Sequence, residues 1–224
     1  HVMTLYNRIQ EGRLGNLFVP RVVLFAGKSA PGYFICKLII KLIHNISDII
    51  SHDPWAKDKL RVIFVPNYGV TIAQKIIPAA ELSEQISTAG YEASGTGNMK
   101  YTLNGALTIG TLDGANIEIL EEVGEENFFS FGLKAQEIME LQSTYRPSDY
   151  YEKNEELRKV ITQLQDGTFS PNQPNLFRPI ADLLTGKDQY FLLADYESYM
   201  KCQESVSKAY LDQDNWTRMS ILNV

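Results

Sequence analysis

The sequence predicts an α/β fold, a parallel sheet flanked by helices, with a mostly helical extension after residue 145. Three observations carry this reading. Over residues 1–145, short β-rich apolar runs alternate with helical patterns, the order produced when parallel strands are joined by crossover helices. From 146 to 224 one helical pattern follows another. The 224 residues are 44% hydrophobic and 21% charged, which is enough to bury a substantial core and excludes disordered and fibrous classes.

Taken in order, residues 1–10 read as helix, with Leu5 and Ile9 one turn apart. Residues 21–26 (RVVLFA) read as a buried strand ending at Gly27. The strongest helical pattern follows: Ile35, Leu38, Ile39, Leu42, Ile43, Ile46, Ile49 and Ile50 share a face, and Lys37, Lys41, Asn45 and Asp48 fall opposite. Pro31 suits the first turn of that helix. A second strand is expected at 61–65, a helix at 71–77 broken by Pro78, and a third strand at 107–112. Then come a helix at 115–123, a short strand at 128–131 and a helix at 135–141. Such a sheet should be covered on both faces. Further helices are expected near 148–166, 175–185 and 195–211, followed by an amphipathic segment around Trp216, Met219, Ile221 and Leu222.

Charge and cysteine content narrow the function classes. The formal charge is −6 and no dense Lys/Arg run occurs, which disfavours nucleic acid as a partner. Cys36 and Cys202 are too few for a disulfide framework and suit a reducing cytosol. Lys37, Lys41, His44 and Asp48 interrupt the longest apolar segment, so no membrane span is expected, and the first residues do not read as a secretory leader. Glu118, Glu121, Glu122, Glu125 and Glu126 lack His or Cys neighbours and read as a solvated face, so no metal site is expected. His44 and His52 read as surface residues, the two cysteines as packing residues, and Trp55 and Trp216 as core or domain-contact aromatics.

The chemistry concentrates at 92–100, EASGTGNMK. Gly95 and Gly97 flank Thr96 just before a helical pattern, where the backbone can approach an anion and the first-turn N–H groups lack intrahelical partners. Ser94 and Thr96 add hydroxyl donors. Lys100 follows roughly 5 Å along the same helix, a spacing that lets one helix start hold the phosphate of pyridoxal phosphate while the amine reaches its aldehyde. Alone, this is a weak signal, because most such loops are turns. No GxxxxGK[ST] loop occurs, so an ATP or GTP site has no support.

Residues 82–126, LSEQISTAGYEASGTGNMKYTLNGALTIGTLDGANIEILEEVGEE, closely resemble the pyridoxal-phosphate region of the α-glucan phosphorylases. HVMTLYNRIQ (1–10), GKSAPGY (27–33), RVIFVPNYGV (61–70), GEENFFSFG (124–132), FSPNQPNLF (169–177) and WTRM (216–219) agree, so the resemblance spans essentially the whole chain. It implies an enzyme that cleaves α-1,4 bonds at non-reducing glucan ends with inorganic phosphate, releasing α-D-glucose 1-phosphate, with pyridoxal 5′-phosphate as cofactor. It also implies Lys100 as the residue bonded covalently to the cofactor. Gly95, Thr96 and Gly97 would contact the cofactor phosphate, Tyr68 its ring, and Glu92, Ala93, Ser94 and Gly95 the glucosyl unit. Gly69 departs from the pattern, since many members carry a longer, often basic residue there.

The resemblance further implies a piece, 1–224, of the second, Rossmann-like domain of a glycosyltransferase-B architecture. The expected division is an α/β core (1–145) and a helical extension (146–224), truncated at both ends. The family's basic KRxHEYKR-like motif and its N-terminal domain would lie outside it. The full-length protein is expected to be a cytoplasmic, allosteric homodimer. The chain alone is expected to lack phosphorolytic activity and to bind the cofactor weakly or not at all. A non-catalytic module binding sugar or phosphate is the alternative.

Overall fold

The computed structural model describes residues 1–224. The first half contains α1 (Val2–Gln10), β1 (Arg21–Ala26), α2 (Phe34–His52), β2 (Leu60–Val65), α3 (Val70–Ile76), β3 (Leu82–Gln85), α4 (Gly97–Thr102) and β4 (Leu107–Gly110). The remainder contains α5 (Asn116–Val123), β5 (Phe128–Ser130), α6 (Ala135–Leu141), α7 (Ser148–Tyr151), α8 (Glu155–Gln165), α9 (Arg178–Gly186), α10 (Leu192–Tyr210) and α11 (Gln213–Leu222). Every strand pairing is parallel, in two ladders ordered β1-β2 and β3-β4-β5. The α/β class is therefore as expected. No helix is long and apolar enough to cross a membrane.

The chain forms two compact units, His1–Tyr68 with Pro147–Asp188, and Gly69–Arg146 with Gln189–Val224. The stretch after 145 holds only helices, yet it does not pack as one extension: α7, α8 and α9 belong to the first unit, α10 and α11 to the second.

In the first unit, Leu38, Leu42, Ile46 and Ile50 form the buried stripe of α2, four residues apart as a helix requires. The Ser47 hydroxyl donates to the Val62 carbonyl of β2 at 2.6 Å. Phe169 and Phe177 are fully buried, and the Asn45 amide donates to the Phe169 carbonyl at 2.7 Å. The sheet here is not covered on both faces. Burial alternates along β1, and Val22, Leu24 and Ile63 remain exposed. The helix begins at Phe34, so Pro31 sits in the preceding turn and not in the first helical turn. His44 and His52 lie on the surface, and Trp55 is 71% exposed and no core residue.

In the second unit β4 is central and buried at all four positions, as befits a middle strand of a parallel ladder. Leu107, Ile109, Phe131, Val206, Trp216 and Met219 form its core with Cys202. The ladder includes β3, a strand that residue pattern alone did not mark. Pro78 does end the regular helix, in a single 3-10 turn over Ile77–Ala79. The long helix expected at 148–166 is interrupted, and α8 begins afresh where the Asn154 side chain accepts from the Leu157 N–H at 3.0 Å.

Candidate functional site

The segment 92–100 lies within the second unit, running from the loop after β3 into the first turn of α4. Glu92, Ala93, Ser94, Thr96 and Lys100 are exposed, whereas Asn98 is buried. Gly95 takes φ +81°, a left-handed conformation that glycine adopts without penalty, and a Cβ there would meet the Asn98 amide at 3.3 Å. Thr96 is the N-cap of α4, but its side chain makes no capping bond. The N–H groups of Gly97 and Asn98 have no backbone acceptor. The hydroxyl of Thr96 instead accepts from Lys100 Nζ at 3.3 Å. An amine, a hydroxyl and two unpaired N–H donors thus stand within one turn of each other. Six residues give α4 only a small macrodipole, so anion binding there depends on those individual donors.

Beside this turn is a cavity of about 110 Å³, lined by Gln85, Ile86, Ser87, Glu92, Ser94, Gly95, Asn98, Asp113 and Asn116. It is smaller than a typical ligand pocket of about 300–1,000 Å³ and can take only part of a ligand. Its lining is mostly polar, which suits hydroxyl groups better than an apolar body.

Of the residues marked by sequence, Glu92, Ser94 and Gly95 line this cavity. Thr96, Gly97 and Lys100 are grouped at the adjoining helix start, and Ala93 lies in the loop between. Tyr68 belongs to the first unit. Sequence reasoning passed over Asn98, Asp113 and Asn116, whose polar side chains are almost wholly buried. The available signal was the string TLDGAN at 111–116, a polar turn directly after the strand pattern LTIG. No group of three or more His, Cys, Asp or Glu side chains stands close enough to hold a metal ion.

Parallel strands with a glycine-framed loop and a lysine beyond β3 define a class that comparison with known proteins makes specific. The carbohydrate phosphorylase family matches over residues 1–224, and the chain belongs to that family. It is 57% identical over 225 residues to the muscle form of glycogen phosphorylase from Bos taurus and 56% identical to that from Homo sapiens. It is 54% identical over 226 residues to the glycogen phosphorylase of Synechocystis sp.. All of this chain is covered in each case, but it spans only 27%, 27% and 26% of those relatives' lengths.

Proposed function

We propose that this chain is part of an α-1,4-glucan phosphorylase, which releases α-D-glucose 1-phosphate from non-reducing glucan ends using inorganic phosphate and pyridoxal 5′-phosphate. The reading rests above all on one observation: Glu92, Ser94 and Gly95 line a polar cavity, and the Lys100 amine lies one turn further on. Membership of the family and the names of the relatives support the same reaction. The chain would form part of the C-terminal, cofactor-bearing domain of a cytoplasmic homodimer, with the N-terminal domain supplying the remainder of the site.

In this reading Glu92 holds the glucosyl unit. A carboxylate accepts hydrogen bonds from two neighbouring sugar hydroxyls at charge-assisted strength, and its exposure at the cavity rim leaves both oxygens available. The Ser94 hydroxyl and the Gly95 backbone provide neutral partners for the same ring. The donor set around Thr96 fits the cofactor's phosphate, because the N–H groups of Gly97 and Asn98 lack backbone acceptors. The Lys100 amine is exposed and free to bond covalently to the cofactor. When bound, that group supplies a phosphate that exchanges a proton with the substrate phosphate. Tyr68 would lie against its ring. Several cations are needed to stabilise two facing phosphates, so the 224-residue chain alone would be inactive and would bind the cofactor weakly.

Phosphorolysis of maltoheptaose by the full-length protein, followed as glucose 1-phosphate release, tests the reaction. Borohydride reduction and peptide mapping test the attachment, with the label expected on Lys100 and absent from Lys100→Ala. No glucose 1-phosphate from the cofactor-replete protein, with sugar binding retained, would favour a non-catalytic module instead.

A further inference from the structure

The phosphorylase reading explains Glu92 and Ser94 but not what holds them in place. Asp113, in the turn between β4 and α5, is only 3% exposed. Its Oδ1 accepts from the Gly90 N–H at 2.8 Å, and its Oδ2 accepts from the Ser87 hydroxyl at 2.5 Å and the Glu92 N–H at 3.0 Å. One buried carboxylate thus ties down the loop from the end of β3 to the sugar-facing residues. With three donors already satisfied, it is poorly placed to exchange protons with a substrate.

The next residues fix the other end of the same loop. Gly114 has φ +52°, and a Cβ there would lie 2.6 Å from the Ser94 carbonyl oxygen. That carbonyl instead accepts from the Ala115 N–H at 2.8 Å and the Asn98 amide at 3.2 Å. The Asn98 amide also donates to Asn116 Oδ1 at 3.1 Å, and Asn116 donates to the carbonyls of Thr111 and Gln85 at 3.0 and 3.2 Å. The backbone of Glu92 and that of Ser94 are therefore both fastened to a single turn.

We propose that Asp113 is a positioning residue for the glucosyl site, holding the backbone of Glu92 so that its carboxylate meets the sugar hydroxyls. The inference rests on the phosphorylase reading of Glu92. Asp113→Asn tests it sharply because it preserves shape while replacing one acceptor oxygen by an NH2 donor. Whichever way that amide faces, a backbone N–H of Gly90 or Glu92 meets a donor and loses its acceptor.

The experiment uses the full-length, cofactor-loaded protein with glucose 1-phosphate in the glucan-elongating direction. D113N should lower kcat/KM about tenfold, chiefly through KM, with borohydride-trapped cofactor at Lys100 unchanged. Combined with Glu92→Gln, it should add less than about twofold, since it acts through Glu92. Multiplying effects in the double variant, or wild-type kinetics for D113N, would refute the positioning role while leaving the phosphorylase reading intact. An inactive wild-type protein would remove that reading and this one with it. If D113N does not fold, Ser87→Ala, which deletes one donor, should still raise KM about two- to threefold, and an unaltered KM there counts against the proposal.

Discussion

Asn7 on α1 and Gln163 on α8 form a reciprocal amide pair: Asn7 Nδ2 donates to Gln163 Oε1 at 2.8 Å and Gln163 Nε2 donates to Asn7 Oδ1 at 2.7 Å. Both side chains are buried, at 5% and 9% exposure. Removing one partner strands a buried polar group, which costs about 1–3 kcal/mol. Asn7→Leu should therefore lower the apparent Tm of the full-length protein. The double variant with Gln163→Leu should recover part of that loss, because neither amide is then left alone. A double variant less stable than both single ones would contradict the pairing.

Next to this pair, Arg8 grips Glu156 through two parallel bonds, Nε to Oε1 at 2.7 Å and an η nitrogen to Oε2 at 2.8 Å. The Arg8 hydrogen bonds hold the Glu156 carboxyl below its usual range, against partial burial, with further help from the charges of Arg8 and Arg13. A depressed folded value means stability that is present above the unfolded carboxylate's pKa of about 4.3 and is lost as pH falls through the folded value. Glu156→Gln should thus cost about 1 kcal/mol near pH 7, a figure kept small because the pair is partly solvated. As pH falls from the unfolded carboxylate's pKa through the folded value below it, the variant and wild-type melting curves should draw together. A constant gap across that range would point to packing instead of charge.

Burial pushes the Cys202 thiol up to about 11, and its sulfur donates weakly to the Ser130 carbonyl at 3.6 Å. At pH 8 the thiolate is on the order of one part in a thousand. Iodoacetamide labelling followed by peptide mapping should leave Cys202 unmodified in the native protein and label it fully in denaturant, while the less buried Cys36 reacts earlier. Equal native rates for the two cysteines would be inconsistent with this environment.

Ile109 sits in the middle strand of its ladder with no exposed surface. Ile109→Ala removes packing from the core it shares with Leu107, Val206, Trp216 and Met219 and should cost about 2–5 kcal/mol, read as a reduced denaturation midpoint. The same change at exposed Ile117 should be nearly silent.

Much of this architecture was legible because periodicity reports burial directly. The stripe from Leu38 to Ile50 is of this kind, whereas the apolar runs at 21–26 and 61–65 marked strands but not their burial, since β1 holds no buried residue and β2 only two. Leu82–Gln85 was not legible, for Ser, Glu and Gln have weak β preference and this strand exists through its pairing with β4. The separation into two ladders, and the bare face carrying Val22 and Leu24, are tertiary facts with no local signature. At the site, Glu92, Ser94 and Gly95 were identifiable by motif. Asp113 was not, because its partners are two backbone N–H groups and the Ser87 hydroxyl more than twenty residues earlier, and sequence shows a donor–acceptor match of that kind no more than any acidic turn would.

Each compact unit is assembled from two separated stretches of chain. During synthesis, α1 leaves the ribosome long before α8, which supplies the partners of Asn7 and Arg8, so that helix must wait for those contacts until residues 147–188 emerge. A nascent polypeptide stalled before that point would carry an unfinished first unit, and it is there that chaperone engagement should concentrate.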